Sequence, residues 1–247
     1  MGKNAIISVF DKTNLDLIAN FLIKKEFTIY STGGTSQYLK GINIPHIEIS
    51  KYTKQKEILD GRVKTLHPKI FGGLLGTNSQ NHQKEQKNHG IVIFDILVIN
   101  LYPFEETVRR TKDESKIIEM IDIGGHSLIR AAVKNYNHTI PITNPSDYKN
   151  FIKAFPLKQT QRKIFAKKAI QQVANYDNAI FNWFDGNTKD EYELRYGENP
   201  HQNARAFVNN DRFAQLSGDK KLSYNNLLDL DAAVKIAYGV NTKNNIC

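Results

Sequence analysis

The sequence predicts an α/β fold, a parallel sheet with helices on both faces, over most of its length. Short β-branched runs alternate with helical patterns between residues 5 and 49, the rhythm of right-handed crossovers in a parallel sheet. Residues 91–99 are almost entirely apolar, as expected of a central strand that is buried on both faces. A turn with two glycines, residues 31–35, follows one predicted strand and precedes a helix. With 247 residues, the chain can hold one large domain or one domain and part of another.

The first fifty residues supply five predicted elements. Leu15, Ile18, Phe21 and Leu22 recur at helical spacing, and Thr13 or Asn14 is placed to cap that helix. We expect strands at residues 5–9, 28–31 and 46–49, and helices at 15–26 and 36–40.

The rest of the chain continues the pattern and then changes character. We expect an exposed loop or surface helix at 77–88, a strand at 139–143, and helices at 125–134, 146–155 and 160–184. A polar, acidic stretch at 188–193 predicts a boundary between domains 1–190 and 191–247. The second part contains one predicted helix, about 222–238, and its roughly fifty residues are few for an independent core.

Composition excludes several classes of protein. The formal charge is +9, but basic residues are spread along the chain with acids between them, so we expect no nucleic-acid partner. No run approaches the roughly 18 apolar residues of a membrane span, so we expect no membrane partner. The single cysteine is Cys247, and the start of the chain lacks a secretory signal, which fits a cytoplasmic protein. The seven histidines form no metal-type pair, and we predict no metal site.

Residues 62–68 carry the first site signal. Arg62 and Lys64 point the same way if the backbone is extended, Thr65 adds a hydroxyl, and glycines flank the segment. The pattern fits a clamp for a phosphorylated or otherwise anionic small molecule. It fits an ordinary basic surface loop equally well.

The 31–35 turn carries the second signal. Its two glycines leave backbone N–H groups free at a helix N-terminus, where an anion is favoured. An ordinary strand-to-helix turn capped by Thr35 would show the same residues.

Polar residues beside two further predicted elements are the remaining candidates for the site. Asn100 and Tyr102 follow the predicted central strand, where open α/β sheets bind ligands, although Tyr102 also suits packing. Asp122 and Lys134 flank a predicted helix of roughly 14 Å, so they can share a site only if something spans that length. Lysine, tyrosine and aspartate suit proton transfer and oxyanion stabilisation.

Eight motifs occur in order: SVFDKT, STGGT, DGRVKTLHPKIFGG, NLYPFEETV, IDIGG, LIRAAVKN, RYGENPHQ and LSYNNLLDLDAA. Together they closely resemble the bifunctional purine biosynthesis proteins, AICAR transformylase/IMP cyclohydrolase. The resemblance implies a methylglyoxal-synthase-like first domain that closes formamidoimidazole carboxamide ribotide (FAICAR) to inosine monophosphate, without a cofactor. It also implies a homodimer with a nucleotide substrate.

The resemblance also assigns residues. Lys134 with Asp122 would transfer protons, and Lys64 with Tyr102 would stabilise the oxyanion. Arg195 and Tyr196 fall in the family's transformylase substrate loop. The substrate-binding set carries over onto Ser8, Asp11, Lys12, Thr32, Gly33, Gly34, Thr35, Arg62, Val63, Thr65, Asn100, Leu101, Ile123 and Gly124.

The sequence departs from the family's pattern in two ways. Phe10, Phe71 and His126 stand where Ser, His and Pro are usual. The chain also stops early in the transformylase part, so we expect that activity, whose co-substrate is 10-formyltetrahydrofolate, to be lost here. The alternative function is a non-catalytic module of the same fold that binds a phosphorylated metabolite.

Overall fold

Five parallel strands form the central sheet, in the order β3-β2-β1-β4-β5. The computed structural model describes residues 3–186, 189–209 and 220–239. The strands are β1 (Lys3–Ser8), β2 (Phe27–Ser31), β3 (Ile47–Glu48), β4 (Ile96–Ile99) and β5 (Ile140–Ile142). The chain moves outward from β1 through β2 and β3, then returns to place β4 on the other side of β1. The order therefore reverses between β1 and β4, and such a reversal opens a crevice at the carboxyl ends of the strands.

The helices that connect and flank these strands also follow in chain order. They are α1 (Leu15–Lys24), α2 (Gly33–Gly41), α3 (Ile49–Thr53), α4 (Pro68–Leu75), α5 (Gln80–His89), α6 (Phe104–Arg110), α7 (Glu114–Ile118), α8 (Ile123–Lys134), a 3-10 turn (Pro145–Asp147), α9 (Tyr148–Ala154) and α10 (Gln159–Phe184).

Helices cover both faces of the sheet, as predicted. On one face, Ala5 and Ile7 of β1 lie in a core cluster with Leu15 and Ile18 of α1 and Phe151 of α9. On the other face, α8 packs on β4 and β5, and α4 packs on α8. Ile6 and Leu97, which alternate with the first set along their strands, are also fully buried. The prediction of an α/β parallel sheet is confirmed.

Residues 91–94 were expected to extend the central strand, and that prediction is wrong. Their backbone groups bond elsewhere: Ile91 N–H donates to Gln86 O, Val92 N–H to the Tyr52 hydroxyl at 2.7 Å, and Phe94 N–H to Gly73 O. Because these donors are used by α4, α5 and Tyr52, the ladder with β1 is limited to residues 96–99, and Asp95 N–H adds one hydrogen bond to Asn4 O.

Three smaller predictions also need correction. The helix expected at 36–40 begins earlier, at Gly33, and the strand expected at 46–49 is only two residues long before α3 begins. Asn14 occupies the cap position of α1 but makes no side-chain cap hydrogen bond, because its backbone is left-handed. Asp11 Oδ1 accepts a hydrogen bond from Thr13 N–H in this turn instead.

The chain divides into two compact units, residues 1–180 and 181–247. The second unit contains an antiparallel pair, β6 (Lys189–Glu193) and β7 (Arg205–Asn209), and α11 (Tyr224–Gly239). The boundary was predicted near residue 190, which is further along the chain than this division. The stretch that was expected to be a linker there is occupied by β6. Over the described ranges, no helix is both long and apolar enough to cross a membrane. Cys247 lies outside these ranges.

Gly73 tests the packing between α4 and the 91–94 segment. A Cβ at Gly73 would lie 2.2 Å from Val92 O and 2.6 Å from the Phe94 ring, so Gly73→Ala forces the segment away and should cost about 1–3 kcal/mol of unfolding free energy. Gly41→Ala is the matched control, because a Cβ there meets nothing within 4 Å. Urea unfolding measures both, and equal midpoints for the two variants would contradict this packing.

Candidate active site

A cavity of about 670 Å³ lies at the carboxyl ends of β1, β2 and β4, at the point where the strand order reverses. Most of the residues predicted from sequence line it: Ser8, Lys12, Thr32, Gly34, Thr35, Arg62, Lys64, Thr65, Asn100, Tyr102, Asp122, Ile123 and Gly124. The predicted residues Asp11, Gly33, Val63, Leu101 and Lys134 are not part of its lining.

Asn100 joins the loop after β1 to the end of β4. Its Oδ1 accepts hydrogen bonds from Phe10 N–H at 2.6 Å and Asp11 N–H at 3.0 Å, and its Nδ2 donates to Asp11 O at 3.0 Å. The side chain is almost completely buried. Its amide is therefore committed to shaping the cavity wall.

The 31–35 turn presents the N-terminus of α2 to the cavity. Thr35 Oγ1 accepts from Val9 N–H at 3.0 Å and donates to Val9 O at 2.9 Å, so its hydroxyl ties the turn to β1. Thr32 Oγ1 lies 3.0 Å from Ser8 Oγ. The positive φ falls at Gly33, at +43°, whereas a Cβ at Gly34 would meet nothing within 4 Å. Gly34 therefore leaves open space at the start of α2, where an anion is favoured.

Lys12 brings a positive charge beside this turn. Its Nζ donates to Val9 O at 2.6 Å and to Phe10 O at 2.9 Å. Burial lowers the pKa of Lys12; Asp11 opposes this shift and Lys64 adds to it. A bound anion would relieve the repulsion between the two lysines.

An extended backbone was considered for the basic segment, residues 62–68. The segment instead begins at the end of a tight turn. Ile58 and Val63 form an antiparallel bridge around a tight turn in which Gly61 has a φ of +85°. Arg62 and Lys64 nevertheless both reach the cavity lining. Arg62 pairs there with Glu119, and because both side chains are more than half exposed the pair contributes little stability.

Three of the four predicted catalytic residues come together. Lys64 Nζ lies 3.4 Å from the Tyr102 hydroxyl. Asp122 caps α8, where its Oδ1 accepts from Gly125 N–H at 2.7 Å. Burial raises the pKa of Asp122, and the Gly125 N–H, Lys64 and the Tyr102 N–H partly offset that rise. A carboxylate with a raised pKa beside a cation and a phenol is suited to proton transfer.

Lys134 is the exception among the four. It is exposed in the last turn of α8, at the opposite end of the helix from Asp122, roughly 18 Å away at 1.5 Å per residue. Its position in the single chain does not support a shared role with Asp122, and its catalytic role stays a prediction.

Tyr176 of α10 is a site residue that sequence reasoning missed. Its hydroxyl accepts from Asp122 N–H at 2.9 Å and donates to Met120 O, so it holds the segment that carries the aspartate. Burial raises the pKa of Tyr176, which keeps the phenol protonated and able to donate. The helical pattern identified Tyr176 as a packing residue, and nothing in that pattern signalled the task of its hydroxyl.

Two further predictions concern other groups. Within the described ranges, no set of three or more His, Cys, Asp or Glu residues is placed to hold a metal ion. In the second unit, Arg195 Nη2 donates to Asn226 Oδ1 at 3.3 Å, and its guanidinium lies 5.4 Å from the Tyr196 ring centroid. Their role in a transformylase substrate loop stays a prediction.

Asp122 predicts a pH-dependent difference in stability. Because its pKa is raised in the folded state, the favourable contribution of the protonated group is present at low pH and is lost as the pH rises through the folded-state pKa. Asp122→Asn keeps an oxygen for Gly125 N–H and removes the buried charge. We expect the variant to melt above the wild type at pH 7, with the gap closing as the pH falls toward 3.8, the ordinary aspartate value.

The matched control is Asp113→Asn in the cap of α7. Hydrogen bonds from Lys116 lower the pKa of Asp113, so its contribution is present at neutral pH and is lost on acidification. This variant should melt below the wild type at pH 7. Thermal scans between pH 3 and 8 measure both, and equal signs for the two variants would contradict the burial of Asp122.

Comparisons with known proteins agree with the geometry. The family model described as MGS-like domain matches residues 14–127, and the one described as AICARFT/IMPCHase bienzyme matches residues 132–247. Bifunctional purine biosynthesis protein PurH of Prochlorococcus marinus (strain MIT 9515) is 41% identical over 268 residues, covering 100% of this chain and 52% of that protein. PurH of Macrococcus caseolyticus (strain JCSC5402) is 42% identical over 242 residues, covering 94% of this chain and 49% of that protein.

One solved structure shows the same fold. It is described as the crystal structure of ForH, with a TM-score of 0.67 and 26% sequence identity, and the match covers 74% of this chain and 100% of that one. The present chain spans about half the length of the curated relatives that it matches.

Proposed function

Because this chain belongs to the family of bifunctional purine biosynthesis proteins, we propose that its first unit is an IMP cyclohydrolase, which closes FAICAR to inosine monophosphate with loss of water. One observation carries the proposal. Lys64, Tyr102 and Asp122 come from three separate segments and line one cavity beside the anion-favouring start of α2. This is the arrangement that ring closure of a phosphorylated substrate requires.

The reaction needs a base and donors to one oxygen. The carboxamide nitrogen attacks the formyl carbon, and a C–N bond forms while negative charge develops on the formyl oxygen. Asp122 accepts the proton that the carboxamide nitrogen loses. Lys64 and Tyr102 donate hydrogen bonds to that oxygen. The C–O bond then breaks, and the oxygen leaves as water with the proton taken up by Asp122 and the proton that the formamido nitrogen gives up as its C=N bond forms.

Each group is suited to its part by its surroundings. Burial raises the pKa of Asp122, which makes the carboxylate a stronger base than an exposed one. Lys64 lies within reach of Tyr102, so charge that develops on the oxygen meets a cation and a phenol together. Because Tyr176 and Gly125 N–H hold Asp122, little reorganisation is needed when the substrate arrives.

Lys64→Ala tests the proposed chemistry. The substitution removes the cation that meets the developing oxyanion, and losing one such donor costs roughly 10² to 10³ in rate. Conversion of FAICAR to inosine monophosphate by the purified chain is the measurement. Lys51→Ala is the control, since Lys51 is 74% exposed on α3 and should leave the rate unchanged. Wild-type turnover by Lys64→Ala would refute the role of Lys64. If the unmodified chain bound the ribotide but converted none of it, the non-catalytic module would be favoured.

Gly34→Val tests the phosphate site. The valine side chain enters open space at the start of α2, so it should block an anion without straining the fold. We expect inosine monophosphate to bind the variant about as weakly as inosine binds the wild type. Gly41→Val, in the same helix and also free of contacts, should bind the nucleotide normally. Calorimetry gives the affinities, and equal binding of inosine and its monophosphate by the wild type would remove the phosphate role.

A further inference from the structure

Phe10 is a large apolar side chain with an unusual position. It is 50% exposed, yet it lies on the wall of the cavity. Two other lining side chains, Ile118 and Ile123, are also exposed, at 41% and 58%. One cavity therefore combines a basic floor, formed by Lys12, Arg62 and Lys64, with apolar side chains that are open to water. Exposed apolar side chains of this kind indicate a surface that the apolar face of a ligand covers.

The position of Phe10 is fixed from three sides. Its N–H donates to Asn100 Oδ1 at 2.6 Å, and its carbonyl accepts from Lys12 Nζ at 2.9 Å. Its ring packs edge-to-face on Tyr102, with centroids 5.7 Å apart at an interplanar angle of 76°. This contact uses part of the aromatic surface and leaves the rest exposed.

Phe10 also lies between the two ends of the proposed substrate site. It follows Val9, which the Thr35 hydroxyl holds against the start of α2. On its other side, Tyr102 leads to Lys64 Nζ at 3.4 Å. A ribotide with its phosphate at α2 and its reacting ring near Lys64 would therefore lie beside this phenyl ring.

We propose that Phe10 is a specificity-determining contact that stacks on the planar heterocycle of the ribotide, an inference that rests on the proposed function. The basic floor recognises the phosphate, which every sugar phosphate carries. Phe10 recognises the flat aromatic ring, which simple sugar phosphates lack. The two together select a phosphorylated ribose that bears a heteroaromatic base.

Two ligands separate this role from a structural one. Inosine monophosphate carries the phosphate and the ring, whereas ribose 5-phosphate carries the phosphate alone. Phe10→Ala should weaken inosine monophosphate binding about 10-fold, the size of one base–aromatic contact, and leave ribose 5-phosphate binding unchanged. Phe10→Trp should restore the nucleotide affinity, and nucleotide binding should quench its new fluorescence beyond any change in the wild type, whose single tryptophan is Trp183.

The outcomes separate the two proposals. Unchanged nucleotide affinity in Phe10→Ala, or an equal loss for both ligands, would overturn the stacking role alone. If Phe10→Ala fails to fold, the comparison rests on Phe10→Trp, where absence of nucleotide-dependent quenching would overturn it. If the wild type binds neither ligand and converts no FAICAR, the proposed function fails and this inference fails with it.

Discussion

The side chain of Asn100 holds the site together. The reversal of strand order between β1 and β4 brings two loops side by side, but it does not fix their conformations. Three hydrogen bonds from one buried amide do so, two accepted from the N–H groups of residues 10 and 11 and one donated to a carbonyl. An apolar residue of similar size cannot replace them, because these partly buried backbone groups would then lose their partner. The positions of Phe10, Lys12 and Tyr102 all depend on this bridge.

Two charged side chains of the site lower the stability of the folded state, because folding removes them partly from water. Asp122 is partly buried although its charged form is disfavoured there, and Lys12 is partly desolvated beside Lys64. Both costs are tolerated because other groups hold the backbone: Gly125 N–H and Tyr176 around the aspartate, and the Thr35 hydroxyl around the end of β1. The same burial that disfavours the carboxylate makes it a better base. The free energy lost in folding is thus linked to the chemistry proposed for the cavity.

Sequence reasoning predicted most of the fold because strand and helix periodicities are local. It placed the sheet, the long α10 and about half of the residues that line the cavity. What it missed in the strand after residue 90 and at Tyr176 has one physical cause, which is that the partner of a polar group can lie far along the chain. Residues 91–94 leave the strand because their N–H groups bond to α4, α5 and Tyr52. Thr35 lines the cavity, and its hydroxyl bonds to Val9, a partner that the sequence pattern did not indicate. Tyr176 acts on Asp122 from another helix. Lys134 lies at the opposite end of α8 from Asp122, and its catalytic role stays a prediction.

Residue 10 shows how the backbone and the side chain of one position can have separate tasks. The main chain there is held through its N–H by Asn100 and through its carbonyl by Lys12, and neither bond involves the side chain of residue 10. The phenyl ring extends instead over the cavity and against Tyr102, where half of its surface remains open. A change at this position therefore alters what the cavity contacts while leaving its frame intact. Because the main chain at residue 10 is held by Asn100 and Lys12, its side chain can change at little cost to folding.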